Sequence, residues 1–188
     1  MPSSLRFTGH QDADDLLNDN PLALLMGMLL DQQFPIERAF LAPYLLRERL
    51  LGVHLDAQDL ADMAPSALVE LFSKKPALHR FPKAMAERAH SLCVFLVERY
   101  EGNPDNIWAD VSDAEILRER LLALPGFGDK KVKIFIALLA KRFGVAPQGW
   151  EVVCGVYSAP GFNSVADLDS PAALARLREH RSEARRKK

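Results

Sequence analysis

Cysteines and long apolar runs are scarce in this sequence of 188 residues. Its two cysteines, Cys93 and Cys154, lie far apart in apolar contexts, so we expect buried free thiols. Two cysteines are too few for a four-cysteine iron–sulfur cluster. The five histidines show no metal-ligand spacing, so we expect no metal or cofactor. No alternating strand pattern, internal repeat or low-complexity linker is visible.

The longest apolar stretch is too short to span a membrane. It covers residues 21–30 and stops at Asp31, whereas a spanning helix needs roughly 20 apolar residues. The first residues show no basic region followed by an apolar stretch and a cleavage site. We therefore expect a soluble, monomeric, cytoplasmic protein with no membrane partner, associated with the nucleoid if the source is bacterial. Its length and its 48% hydrophobic content suit one domain.

Charge is unevenly distributed, although the formal net charge is only −1. Residues 1–70 hold four basic and eleven acidic side chains, whereas residues 118–148 hold seven basic and two acidic ones. The last stretch, residues 181–188, is also basic, and we expect it to be a disordered tail. A nearly neutral protein can thus present one basic face, which favours an anionic polymer as its partner.

Helix-start signals and apolar periodicity predict an all-α protein. Asn20-Pro21 and Ser170-Pro171 are typical of an N-cap and a first helical residue, and residues 112–115 of a capping box. The predicted helices cover residues 22–30, 36–51 with a kink at Pro43, 58–63, 66–72, 85–100, a segment that ends at Leu122, the segment after residue 128, and residues 172 to about 180.

A turn with two glycines, Leu124-Pro125-Gly126-Phe127-Gly128, joins two of the predicted helices. Gly126 and Gly128 are expected to adopt positive φ and to let the backbone approach a ligand. The helix that follows begins with unsatisfied N–H groups and the positive end of its dipole, a combination that binds anions. The alternative is a tight turn that only connects two packed helices.

Three lysines follow the turn within four residues: Lys130, Lys131 and Lys133. They suggest that the anion is a nucleic-acid backbone rather than a single nucleotide. Residues 124–130 resemble, position for position, the helix-hairpin-helix motif of DNA-binding proteins. The resemblance implies DNA contacts by the hairpin and its lysines, namely Gly126, Phe127, Gly128, Lys130, Lys131 and Lys133.

The apolar stretch near the start of the chain ends in Asp31-Gln32-Gln33. A helix that is apolar on all sides belongs in the interior, yet this one carries two amides at its C-terminal edge. Each amide offers a donor and an acceptor, which suits the edges of bases. Alternatively, Gln32 and Gln33 cap the helix or bond to a neighbouring loop.

The two motifs in this order resemble the helix-hairpin-helix (HhH-GPD) superfamily of base-excision DNA repair glycosylases, in its branches without an iron–sulfur cluster. The resemblance implies a two-lobed helical fold, with one lobe over residues 30–142, hairpin 118–139 included, and the other formed by 1–29 and 143–180. It also implies that the partner is double-stranded DNA containing a damaged or mismatched base. Gln32 and Gln33 would fill or probe the gap that the extruded base leaves.

The sequence departs from this family after the hairpin helix, because the loop over residues 143–151 lacks the expected aspartate. Glu151 occupies the position at which the resemblance places the catalytic carboxylate. A carboxylate there would stabilise the oxocarbenium-like transition state or activate a water. An acidic residue in a first helical turn is also common without any function. Trp150 is expected to pack or to stack on an extruded base.

Lys130 stands where family members that also nick the strand have a reactive lysine. Its amine could attack C1′ of the sugar and form a Schiff base, provided that desolvation and the cations Lys131 and Lys133 keep it partly neutral. A lysine that only pairs with phosphate would show the same sequence. The basic segment over residues 74–83 could also contact DNA with Phe81 or His79 at its tip, or Phe81 could pack inward.

Three functions remain open at the level of sequence. The first is a DNA glycosylase, possibly with lyase activity, in which Glu151 and Lys130 are catalytic. The second is a non-catalytic DNA-binding protein that has lost the aspartate. The third is a helical interaction module in which the hairpin is only structural.

Overall fold

The computed structural model describes residues 4–51 and 54–186. Within these ranges the chain forms ten α-helices, three short 3-10 helices and no strand beyond an isolated bridge between Asp113 and Gln148, so the all-α prediction is confirmed. The α-helices are α1 Gln11–Asp19, α2 Pro21–Leu30, α3 Ile36–Arg49, α4 Ala57–Asp62, α5 Pro65–Ser73, α6 Pro82–Tyr100, α7 Ala114–Leu122, α8 Asp129–Phe143, α9 Trp150–Cys154 and α10 Pro171–Arg186. The 3-10 helices are Pro104–Ile107, Gly155–Tyr157 and Val165–Asp167.

Helix α2 is the buried centre of the fold. Its start is fixed as predicted, because Asn20 Oδ1 accepts from the N–H groups of Leu22 and Ala23 at 2.9 and 3.1 Å. Every residue after Pro21 is buried, and α2 packs against α1, α3 and α6. A Cβ on Gly27 would lie 2.6 Å from a carbon of the Phe40 ring, so this glycine lets α2 and α3 approach closely.

Helix α8 is the second buried element. It packs against α7, α9 and the 3-10 helix Val165–Asp167. The amine of Lys141 at its C-terminal end donates to Asp167 Oδ1 at 2.7 Å, and both side chains are mostly buried. One cluster of buried apolar side chains extends from Leu5 to Leu177 and includes both α2 and α8. The division into two lobes stays a prediction.

Two predictions about helix ends are wrong. Asp113, rather than Ser112, caps α7, since Asp113 Oδ1 accepts from the N–H of Glu115 at 2.7 Å while the Ser112 carbonyl accepts from Gln148. The stretch predicted as a disordered tail is helical as far as Arg186, because its arginines, Glu183 and Ala184 favour a helix and no glycine or proline stops it. Residues 187 and 188 lie outside the described residues.

The two cysteines, Cys93 and Cys154, are buried free thiols, as predicted. Burial raises the pKa of each thiol to about 12. Among the helices of the described ranges, none combines the length and the apolar character needed to cross a membrane.

Candidate functional site

A cleft of about 970 Å³ lies where the end of α2 meets the start of α8. It brings together the two motifs that are almost a hundred residues apart in the sequence, and α10 forms its third wall. The residues that line it are Met28, Asp31, Gln32, Gln33 and Phe34 at the end of α2, Gly126, Gly128, Asp129, Lys130, Lys131 and Ile134 of the hairpin, and Arg181, Ala184 and Arg185 of α10.

The glycine turn packs directly on α2. Gly126 has φ +82°, as predicted, and a Cβ added there would overlap Cδ1 of Leu29, a side chain that is fully buried. The turn is closed by the N–H of Phe127, which donates to the Leu124 carbonyl at 3.1 Å. The absence of a side chain at Gly126 therefore allows the hairpin to touch the end of α2.

Gly128 plays a different part from Gly126. The prediction of positive φ is wrong here, because Gly128 has φ −95° and ψ 171° and is the N-cap of α8. No atom lies within 4 Å of a Cβ built on it, apart from its own chain neighbours. Since Gly128 has no side chain to cap the helix, the first N–H groups of α8 are left without an intrahelical or capping acceptor at the cleft.

The three hairpin lysines have different surroundings. Lys130 is exposed at the cleft, and in residues 4–51 and 54–186 no carboxylate lies within ion-pair distance of its amine. Lys131 is half-buried, and its amine donates to the Leu29 carbonyl at 2.9 Å. Lys133 does not line the cleft, and its amine pairs with Asp129 Oδ2 at 2.8 Å.

Lys131 is the lysine with altered acid–base chemistry. Burial lowers its pKa to about 8, with Asp31 raising it and Arg88 lowering it further. Its ammonium also lies 5.7 Å from the centroid of the Phe127 ring. The sequence assigned a partly neutral amine to Lys130, whereas the structure provides the desolvation at Lys131.

Phe127 contributes packing at this site. Its side chain is 5% exposed and meets the Phe135 ring edge-on at 6.1 Å, so it stabilises the hairpin from inside. Because the side chain is buried, only the backbone of Phe127 could contact DNA, and that contact stays a prediction.

Gln32 and Gln33 differ in whether their side chains are bound by the rest of the protein. Gln32 is held on α6, since its Oε1 accepts from Arg88 Nη1 at 3.0 Å. Gln33 has a left-handed backbone with φ +52° and an exposed side chain. A non-glycine residue in this region stores strain, which is frequent at functional sites. Gln33 is therefore the amide that is available to a ligand.

His79 ties the basic segment to the end of α2. It is 1% exposed, its Nδ1 accepts from the N–H of Phe81 at 3.0 Å, and its Nε2 lies 3.1 Å from the Gln32 carbonyl. Because Nδ1 accepts, Nε2 carries the proton and donates to Gln32. Phe81 is 45% exposed, with the Arg80 guanidinium 4.9 Å from the centroid of its ring. Phe81 is thus the exposed aromatic residue of this segment, and His79 is its internal support.

Glu151 lies apart from the cleft. It is exposed on the five-residue helix α9, and it does not line the cavity. It lies near the Cys154 thiol, whose pKa is raised by burial and by Glu151 and lowered by Lys141 and Lys133. Trp150 is half-buried and packs against the core.

Three cleft residues were missed at the level of sequence. Arg181 and Arg185 were assigned to a disordered tail, although the uninterrupted helix-forming sequence after Pro171 would have indicated a longer helix. Asp31 was noted only as the neighbour of the glutamines. Burial raises the pKa of its carboxyl group, while Arg181, Lys131 and Lys130 act in the opposite direction.

The chain matches no protein-family model, no curated protein and no solved structure. The resemblance to the helix-hairpin-helix superfamily therefore rests on the motifs quoted above. In the part of the chain that the structure describes, no group of three or more histidine, cysteine, aspartate or glutamate side chains is placed to hold a metal ion.

The two hairpin glycines should respond differently to substitution. We expect Gly126→Ala to lower the free energy of unfolding by about 2 kcal/mol or more, since it combines a left-handed alanine with overlap on Leu29. Gly128→Ala should cost less than about 1 kcal/mol, because its backbone is extended and its surroundings are open. Urea unfolding of both variants measures this difference, and equal losses would contradict the assignment of Gly126 as the packing contact.

His79 should make the stability of the protein depend on pH. Burial lowers the pKa of His79 from its ordinary 6.5, so the native state keeps the ring neutral where the unfolded chain takes up a proton. Its contribution is present above pH 6.5 and is lost as the pH falls towards the lowered native pKa. We expect urea unfolding at pH 7.5 and 5.5 to show a smaller loss of stability in His79→Gln than in the wild type. His180→Gln, at an exposed position of α10, is the control and should keep the wild-type pH dependence.

Proposed function

We propose that this protein is a DNA glycosylase of base excision repair. It binds duplex DNA through the hairpin, extrudes a damaged base into the cleft and hydrolyses its N-glycosidic bond. The observation that carries the proposal is the meeting of the glutamine-bearing end of α2 and the glycine hairpin in one cleft with cationic walls. The resemblance to the helix-hairpin-helix glycosylases supports the same reading.

The phosphate-binding part of the proposal rests on the start of α8. The N–H groups after Gly128 point out of the helix end, and the exposed Lys130 stands beside them. Backbone N–H groups and a lysine are the usual partners of DNA phosphates. Because Gly128 has open space around its Cα, a phosphate can come close to the backbone.

The base-reading part rests on Gln33 and Phe81. Gln33 lines the cleft with an exposed amide, and Phe81 is an exposed aromatic residue on a segment that His79 fixes to the same end of α2. An amide can bond to the bases that face the gap, and an aromatic ring can stack on one of them. A cleft of this volume has the size of sites that enclose a small organic group such as a nucleobase.

The cleft also has a charge that suits DNA. Lys130, Lys131, Arg181 and Arg185 line it, and these cations come from two separate helices, α8 and α10. Since the net charge of the chain is −1, this positive charge is local. Local positive charge favours binding to the phosphate backbone at one face of the protein.

A non-catalytic DNA-binding protein is the second candidate, and one observation favours it. Glu151, which the resemblance places at the catalytic position, does not line the cleft. A protein with the hairpin and the basic cleft but without a carboxylate at the sugar would bind DNA and leave it intact.

The first experiment tests DNA binding. We expect the affinity for duplex DNA, measured by fluorescence polarisation, to fall steeply with salt. Lys130→Glu should weaken binding and reduce the slope of log K against log salt by about one, the loss of one phosphate contact. Arg99→Glu is the matched charge reversal on the exposed end of α6, and it should leave the slope unchanged. Binding that is absent or insensitive to salt would favour the interaction module instead.

The second experiment tests the reaction. End-labelled duplexes each carry one modified base, from a panel of uracil, oxidised purines and pyrimidines, alkylated purines and mismatches. Each reaction is split and treated with or without hot alkali. We expect strand breaks only after alkali, because Lys130 is exposed and the Lys131 amine already donates to a carbonyl, whereas an active lysine nucleophile is usually desolvated and free.

Two other outcomes would change the conclusion. Strand breaks without alkali that disappear in Lys130→Ala would establish a lyase in which Lys130 forms the Schiff base. If every duplex is bound at low salt and none is cut, the protein is the non-catalytic DNA-binding candidate.

A further inference from the structure

Among the described residues that line the cleft, two carry carboxylates, Asp31 and Asp129. Asp129 is already neutralised, since it accepts from Arg118 Nη2 at 2.7 Å and from the Lys133 amine at 2.8 Å. These two partners lower the pKa of Asp129. A carboxylate that is paired twice is not available to a ligand.

Asp31, in contrast to Asp129, is unpaired. In the described chain its carboxylate has no hydrogen-bond or ion-pair partner, and the residue is partly exposed to the cleft at the end of α2. An unpaired carboxylate that lines a cleft is accessible to a ligand, and this is the observation that sets Asp31 apart from the doubly paired Asp129.

Three cations surround Asp31 without neutralising it. Arg181 approaches from α10, and Lys131 and Lys130 approach from α8. Each of them is beyond ion-pair distance, yet each favours the ionised form of the carboxylate. Arg88 of α6, a cation near Lys131 that does not line the cleft, donates to the Gln32 side chain. Burial raises the pKa of Asp31, while the three cations favour its ionised form, which is the form that a general base needs.

We propose that Asp31, rather than Glu151, is the carboxylate that acts on the scissile N-glycosidic bond. The inference rests on the proposed function, because it assigns a residue to that reaction. It is carried by the position of Asp31, which is next to Gln32 and Gln33 on one wall of the cleft and opposite Lys130 on the other.

The chemistry is a hydrolysis. The bond between C1′ and the base nitrogen breaks, and the base leaves with the electron pair and takes up a proton from solvent. The Asp31 carboxylate faces the positive charge that develops on the sugar and accepts a proton from the water whose oxygen bonds to C1′. That proton then passes to solvent, so the enzyme returns to its starting state and needs no further reactant.

Single-turnover cleavage of the best duplex of the panel tests the inference, with three variants. Asp31→Asn should lower the rate by about 10²- to 10⁴-fold, the usual contribution of a general base. Its DNA affinity should be equal or higher, since a negative charge leaves the cleft. Asp12→Asn, the same change at an exposed position of α1, is the control and should keep the wild-type rate. Glu151→Gln should lower the rate far less than Asp31→Asn.

The pH profile separates a chemical role from a structural one. The wild-type rate should rise with pH through the ionisation of Asp31, whose pKa is raised by burial, and the residual rate of Asp31→Asn should lack that step. The variant should also be folded. Because the raised pKa means that the ionised group destabilises the native state at high pH, Asp31→Asn should be at least as stable as the wild type at pH 8, and the difference should vanish at acid pH.

The possible failures are distinguishable. If the wild type cuts and Asp31→Asn cuts equally well, or if Glu151→Gln is the variant that loses activity, the inference is wrong while the glycosylase proposal stands. If the wild type binds every duplex and cuts none, the glycosylase proposal fails, and the role of Asp31 fails with it.

Discussion

The contact between the Gly126 backbone and the Leu29 side chain is the constraint on which the site depends. A left-handed glycine lets the hairpin turn lie directly on α2, where any side chain would overlap a fully buried leucine. Lys131 reinforces the same junction by donating to the Leu29 carbonyl. Because every residue of α2 after Pro21 is buried, the hairpin is anchored to the core of the fold.

The cleft contains an unpaired carboxylate, a half-buried lysine amine and a left-handed backbone position. Asp31 has no partner in the described chain, burial lowers the pKa of Lys131, and Gln33 adopts a left-handed backbone. Other charges in the same region are paired, as Asp129 is with Lys133. Unpaired charges concentrated at one place are typical of binding and catalytic sites, and here they coincide with the two motifs of the sequence.

Local patterns predicted much of the fold, and tertiary contacts decided the rest. The cap at Asn20, the all-α architecture and the left-handed turn at Gly126 are consequences of short-range chemistry, and the structure confirms them. The extended φ of Gly128 and the pairing of Lys133 with Asp129 depend on how α8 begins, which spacing alone does not determine. The third wall of the cleft was missed because basic residues near a chain end suggest disorder, although the sequence from Pro171 onward favours a helix.

Under the proposed function, this cleft holds the DNA at the position of an extruded base. Amide chemical-shift mapping of the 21.0 kDa protein tests it most directly, with a duplex that carries a tetrahydrofuran abasic-site analogue and so requires no knowledge of the lesion. We expect the largest shifts on Gln33, Gly128, Lys130 and Arg185, which lie on all three walls of the cleft. Shifts that avoid these residues and cluster on α4 and α5, or no shifts at all, would contradict it.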